Sequence, residues 1–163
     1  MILAVLCIFA GCNRQSPEEM LAKAEETHKM QDYKVALEQY AMLIDEHPSS
    51  PQAEAAAFAT ASIYHNEMHQ PQQAVDAYNR YLSMYPDGPR AGISLFLTGW
   101  MYNNELRKLD SAAIAYKTFL AKYPDNEMAP SAQFELENLG KSPEDLIPDS
   151  SAQSPPQTAS VPN

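Results

Sequence analysis

Apolar positions along the chain recur in register at intervals of 38 residues. Ala36, Ala74 and Ala112 are followed four residues later by Tyr40, Tyr78 and Tyr116, then by Leu43, Tyr81 and Phe119, and then by Ile44, Leu82 and Leu120. Each series closes on His47-Pro48, Tyr85-Pro86 or Tyr123-Pro124, and upstream Phe58, Phe96 and Phe134 keep the same interval. Within one period the apolar set falls at i, i+4, i+7, i+8 and i+11, a single stripe of an amphipathic helix. The preceding segment carries a second stripe, Ala57, Ala61 and Tyr64 in one period and Leu95, Gly99 and Tyr102 in the next. The pattern predicts pairs of antiparallel helices, A then B, joined by polar turns such as NEMHQP and NELRKLD and ended by proline. Such a pair cannot bury both faces alone and must stack on its neighbours.

These residues resemble a tetratricopeptide repeat. Carried over position by position, the small residue of helix A falls on Ala24, Ala61 and Gly99, with an aromatic after it at Tyr64 and Tyr102 but Thr27 in the first repeat. The helix B alanine falls on Ala36, Ala74 and Ala112, its aromatic on Tyr40, Tyr78 and Tyr116, and the closing proline on Pro48, Pro86 and Pro124. The period exceeds the usual one of about 34. A longer inter-repeat turn and one extra residue in the A–B connection of the second and third repeats account for the excess. The expected fold is an all-α, right-handed solenoid of three repeats, residues 18–50, 51–88 and 89–126, with a capping helix in 127–140 whose outer face is polar at Glu135, Glu137 and Asn138. The bulky Leu43, Tyr81 and Phe119 and the Tyr-Pro-Asp endings are similar to the envelope branch of these repeats: the outer-membrane assembly lipoproteins (BamD-like) and the cell-division coordinator of the Tol–Pal system.

The two ends read differently. Ile2 to Ala10 is wholly apolar, too short to span a bilayer but suited to the hydrophobic part of an export signal, 1–11. No Lys or Arg precedes it, so the true start is expected upstream. FAGC resembles a bacterial lipobox, which implies diacylglycerol on Cys12 and a membrane anchor there. Cleavage would also remove Cys7 and leave no intramolecular disulfide. Asn13 in second position, where enteric lipoproteins kept at the inner membrane carry Asp, implies the outer membrane. Residues 12–17 would form a short tether. Pro, Ser and Gln dominate 141–163, which predicts a tail without a packed core.

Charge and chemistry narrow the reading further. A net charge of −10 with no Lys/Arg run excludes a nucleic-acid grip. His65 and His69 are four apart, but HNEMH is not HExxH and lacks a third ligand, so no metal is expected. Nucleophile elbow, phosphate loop and CxxC are all missing from the sequence; no cofactor and no catalytic residue are expected, and the protein is read as a non-enzyme. In tetratricopeptide domains the A helices line a concave groove for a partner segment. Carried over, the resemblance assigns that role to Phe58, Ser62, His65 and Asn66 in the second repeat and to Phe96, Trp100, Asn103 and Asn104 in the third, with Leu21, Glu25, His28 and Lys29 as the first-repeat counterparts. Asn both donates and accepts, matching a peptide amide, while Trp and Phe offer large apolar anchors. Phe58, Phe96 and Trp100 have an alternative use as packing between repeats. The functional expectation is a lipid-anchored scaffold for an envelope protein, in outer-membrane protein assembly. The alternatives are a coordinator of envelope constriction, or a carrier of unfolded chains whose groove would be broadly apolar.

Overall fold

The computed structural model describes residues 15–141 and 145. The signal segment, Cys12, nearly all of the tether and most of the tail lie outside the described residues. The elements are α1 (Pro17–Lys29), α2 (Tyr33–Glu46), α3 (Pro51–Ser62), α4 (Pro71–Met84), α5 (Ala91–Asn104), α6 (Leu109–Lys122) and α7 (Ala129–Glu137), with no strand among the described residues. The fold is an all-helical solenoid in which each helix packs on the next.

Local chemistry sets the boundaries. Ser16 accepts from the Glu19 amide while the Glu19 side chain accepts from the Ser16 amide, a reciprocal cap that starts α1. Ser50 caps α3 one-sidedly, its hydroxyl oxygen accepting from the Ala53 amide at 3.0 Å. Pro17, Pro51 and Pro71 open their helices, where a missing N–H costs nothing. Helices α2, α4 and α6 begin 38 residues apart and run for 14 residues each.

Each A–B turn passes through one left-handed residue, at Gln31 (φ 64°), His69 (52°) and Arg107 (54°), again 38 apart. The extra residue expected in the later connections is visible here. The Asp32 amide closes the first turn onto Thr27 O, five residues back, whereas Gln70 and Lys108 reach six back, to Tyr64 O and Tyr102 O. Helix α3 absorbs the added residue by widening into a π-helical turn over Ile63–Glu67. The same five-residue step recurs from the Leu106 amide to Met101 O.

The repeated columns are the core. Ala36, Ala74 and Ala112 are fully enclosed, Tyr40, Tyr78 and Tyr116 are at most 1% exposed, and Leu43, Tyr81 and Phe119 are enclosed too. A small-residue column adds to them: Ala53, Ala91 and Ala129, with Ala56, Ser94 and Ala132, seats each A helix against the B helix before it. Fully burying one large apolar side chain is worth about 2 kcal/mol, so each inter-repeat seam contributes several such terms.

The second seam is partly polar. Tyr81 stands where its counterparts are Leu43 and Phe119, and its hydroxyl donates to the Glu54 carboxylate and accepts from the Arg90 amide at 3.1 Å. Arg90 also pairs with Glu54 and lies over the Phe58 ring, 5.6 Å from its centre. Glu54 is 7% exposed, and these partners compensate its desolvation. Gly88 leaves room for the phenol: a Cβ there would stand 2.7 Å from the Tyr81 hydroxyl.

The terminal helix differs from expectation. Glu135 points inward, accepting from Asn103 Nδ2 at 3.2 Å and lying 3.5 Å from the Tyr116 hydroxyl, while Phe134 stands 52% exposed. The reason is the register: Phe134 is the counterpart of Phe58 and Phe96, which pack on their own B helices, and none of the described residues supplies a fourth B helix for it.

Gly88→Ala is expected to destabilise the fold by about 1–3 kcal/mol through overpacking. Tyr81→Phe should cost a similar ~1–3 kcal/mol by leaving Glu54 and the Arg90 amide short of a partner. Urea denaturation of the double variant should show less than the sum, because removing the hydroxyl relieves part of the clash. Burial also holds the phenols of Tyr40 and Tyr78 up to about 12, with Glu25 adding to the effect at Tyr40. Unfolded tyrosine ionises near ~10. Stability is therefore complete below that pH and is lost as pH rises towards the folded values. Tyrosinate absorbance and helix content should change together in an alkaline titration.

Candidate functional site: the A-helix face

The side chains expected to receive a partner come from α3, its π-helical turn and α5. Helical spacing places Ser62, His65 and Asn66 on one strip and Trp100, Asn103 and Asn104 on the next. The structure brings the two strips together at His65 and Trp100, whose rings are 5.8 Å apart. His65 Nε2 also meets Glu105 Oε1 at 3.1 Å. The Asn66 amide donates to Ser62 Oγ at 2.9 Å, and the Asn104 amide to Trp100 O at 3.1 Å. Both asparagines are exposed, and each keeps its side-chain oxygen for another donor. Trp100 is half-buried and packs against the core cluster of Ala61, Ala74, Val75, Tyr78 and Met101.

Three of the expected residues are used differently. Asn103 is 3% exposed: its amide donates to Glu135, and its oxygen accepts from the Gly140 amide at 3.0 Å. It fastens α7 to α5, and its polar atoms face the cap instead of a partner. Phe58 sits edge-on to Tyr78 and Tyr81, with centres 5.6 and 6.0 Å away, and Phe96 does the same with Tyr116 and Phe119 at 5.8 and 5.9 Å. Both phenylalanines are half-buried packing between an A helix and its B helix. In the first repeat His28 stacks edge-on to Tyr33 at 5.8 Å.

One column on this face was overlooked in the sequence. Glu67 and Glu105, 38 apart, both reach back to the repeat before them: Glu67 accepts from the Tyr33 hydroxyl at 3.1 Å and Glu105 meets His65. The recurring Asn-Glu pair, Asn66-Glu67 and Asn104-Glu105, was the available signal. Gln52 donates to Glu18 at 2.9 Å, tying α3 to α1 at the other end of the face.

The opposite side carries two clefts whose lining is mostly apolar, though Gln73, Asp76 and Arg80 border the first and Asn79, Ser111 and Thr118 the second. A cleft of about 360 Å³ opens between α2 and α4 over α3, lined by Leu37, Ile44, Ala57 and Tyr64 among others. Its counterpart between α4 and α6, about 260 Å³, is 38 residues on, and there Leu95 stands in place of Ala57. Among the described residues no group of three or more His, Cys, Asp or Glu side chains could hold a metal ion. His69, in its left-handed turn position, does not share a helical face with His65.

A family model described as outer membrane lipoprotein, YfiO, matches residues 13–142, a span that includes all seven helices. The chain belongs to the YfiO family. No curated protein matches it. The family is one of outer membrane lipoproteins, and no described helix is long and apolar enough to cross a membrane.

The two asparagines at the end of α5 should separate cleanly. Asn103→Ala is expected to cost about 1–3 kcal/mol, since it strands Glu135 and the Gly140 amide in the cap interface. Asn104→Ala should stay within about 0.5 kcal/mol, as an exposed substitution. Thermal melts of the two variants, with hydrogen exchange of α7 amides, measure the contrast.

Proposed function

We propose that the protein is a non-enzymatic, lipid-anchored scaffold on the periplasmic side of the outer membrane, carrying its acyl chains on Cys12 and holding a segment of an envelope protein in a groove along its A helices. Membership of the YfiO family supports the compartment and the lipoprotein character. The observation that carries the binding role is the A-helix face itself. It sets Trp100 near Ser62, His65, Asn66 and Asn104, the two asparagines being exposed. Amide side chains beside an aromatic suit an extended or helical peptide, whose main-chain groups they can match. No cofactor and no nucleic acid enter this role.

Participation in outer-membrane protein assembly is the favoured setting, ahead of coordinating constriction. The carrier of unfolded chains would use a continuous apolar groove. Here Trp100 and the exposed Ile93 and Phe134 alternate with Ser62, His65, Asn66 and Asn104 instead of forming a continuous apolar groove.

Photo-crosslinkers placed at Asn66 and Asn104 in the envelope of the native host should capture one or a few envelope proteins. The same group at Thr118, on the B-helix side, should not. Trp100→Ala combined with Asn104→Ala should abolish the capture from position 66, with circular dichroism checking that the chain stays folded. Capture that is equal at Thr118, or unaffected by the double variant, would place the partner elsewhere.

A further inference from the structure

Among the described residues the exposed large apolar side chains fall in the first helix pair (Met30, Val35 and Met42), in the third (Ile93, Leu109 and Ile114) and on α7 (Phe134). Those of the first pair share one side. They lie on its outer end, the side with no preceding repeat. On α2, Val35, Gln39 and Met42 form one stripe at i, i+4 and i+7, and Lys23 on α1 and Met30, which caps its C-terminus, lie beside it. Met42 is 55% exposed and Met30 67%.

The course of the chain links this end to Cys12. Gln15 lies over the face, lining a small cavity with Met20, Lys23, Gln39 and Met42. Only Asn13 and Arg14 lie between it and Cys12, and three extended steps of chain reach no further than about 11 Å. An acyl group on Cys12 therefore leaves the protein beside Met42 and not from another side of the solenoid.

We infer that the end face of the first helix pair, centred on Met42 and Val35, is a membrane-contact surface that lies against the phospholipid bilayer holding the protein's own acyl chains. This rests on the lipid anchor at Cys12 proposed above. Two acyl chains supply the attachment. The face sets the orientation: methionine and valine side chains enter the headgroup boundary, Lys23 meets lipid phosphate, and the solenoid projects away from the bilayer. Acidic residues outnumber basic ones in α1 and α2, so the contact depends on apolar burial and the anchor rather than on attraction to anionic lipid. The A-helix face is left free for a protein partner.

The full lipoprotein, acylated at Cys12, would be reconstituted on vesicles of phosphatidylethanolamine and phosphatidylglycerol. Single Met42→Cys, Val35→Cys and Ile114→Cys variants would each carry an environment-sensitive fluorophore. All three positions are exposed, so the label leaves the fold intact. The expected result is a blue shift and strong quenching by lipid-borne nitroxide at 42 and 35, with water-like emission and little quenching at 114. Vesicle-bound protein whose labels at 42 and 35 remain as wet as the label at 114 would overturn the contact surface while leaving the anchor intact. Protein that fails to float with the vesicles would overturn both, since the face alone is too small to hold the protein on a bilayer.

Discussion

The architecture depends on the close approach of A and B helices over small residues. Tyr116 lies so near Gly99 that a Cβ there would stand 2.9 Å from its ring. Ala24 and Ala61 hold the same place under Tyr40 and Tyr78. A large side chain at any of these positions would push the B helix outward and open the seam to water. With the tyrosines seated, the next residues of the stripe, Leu43, Tyr81 and Phe119, turn towards the following repeat, where Ala53, Ala91 and Ala129 let the next A helix come close. The whole stack is thus a relay of large side chains into small-residue gaps, repeated at each seam.

One seam departs from the apolar rule. A hydroxyl added to a buried ring must be satisfied or it weakens the core. At Tyr81 this need brings in Glu54, Arg90 and the open space at Gly88 together. The network also fixes Arg90 over Phe58, which converts a residue of the inner face into part of the seam. Polar groups placed this way specify one register between repeats, because no slipped arrangement would pair all of them.

The two ends of the solenoid solve different problems. At the C-terminal end α7 is fastened by polar bonds, Asn103 to Glu135 and to the Gly140 amide, with Arg107 donating to Gly140 O at 3.0 Å. At the N-terminal end the first pair presents methionine and valine outward, next to the point where the chain enters. Between them the A helices set Trp100 beside exposed asparagines, and the B helices enclose clefts of mixed, mostly apolar lining.

The sequence by itself determined the helical pairs, their period, the enclosed alanine and aromatic columns and the family branch, because these rest on spacing along one chain and spacing survives without knowledge of neighbours. It also located one added residue in the later A–B connections, though not that α3 would absorb it as a π turn. Which polar residues stay open on the A-helix face was decided only by tertiary structure. Asn103 and Asn104 are adjacent and alike in sequence, yet about 100° of helical rotation turns the first into the cap interface and leaves the second in solvent. Glu135 appears as polar as Glu137, but the hydroxyl of Tyr116 and the amide of Asn103, distant in sequence, draw it inward. Phe58 and Phe96 hold groove positions in the repeat pattern, and the rings of the B helices claim them for packing. Local periodicity identifies the side of a helix on which a residue sits, whereas what stands opposite that side is a property of the stacked chain.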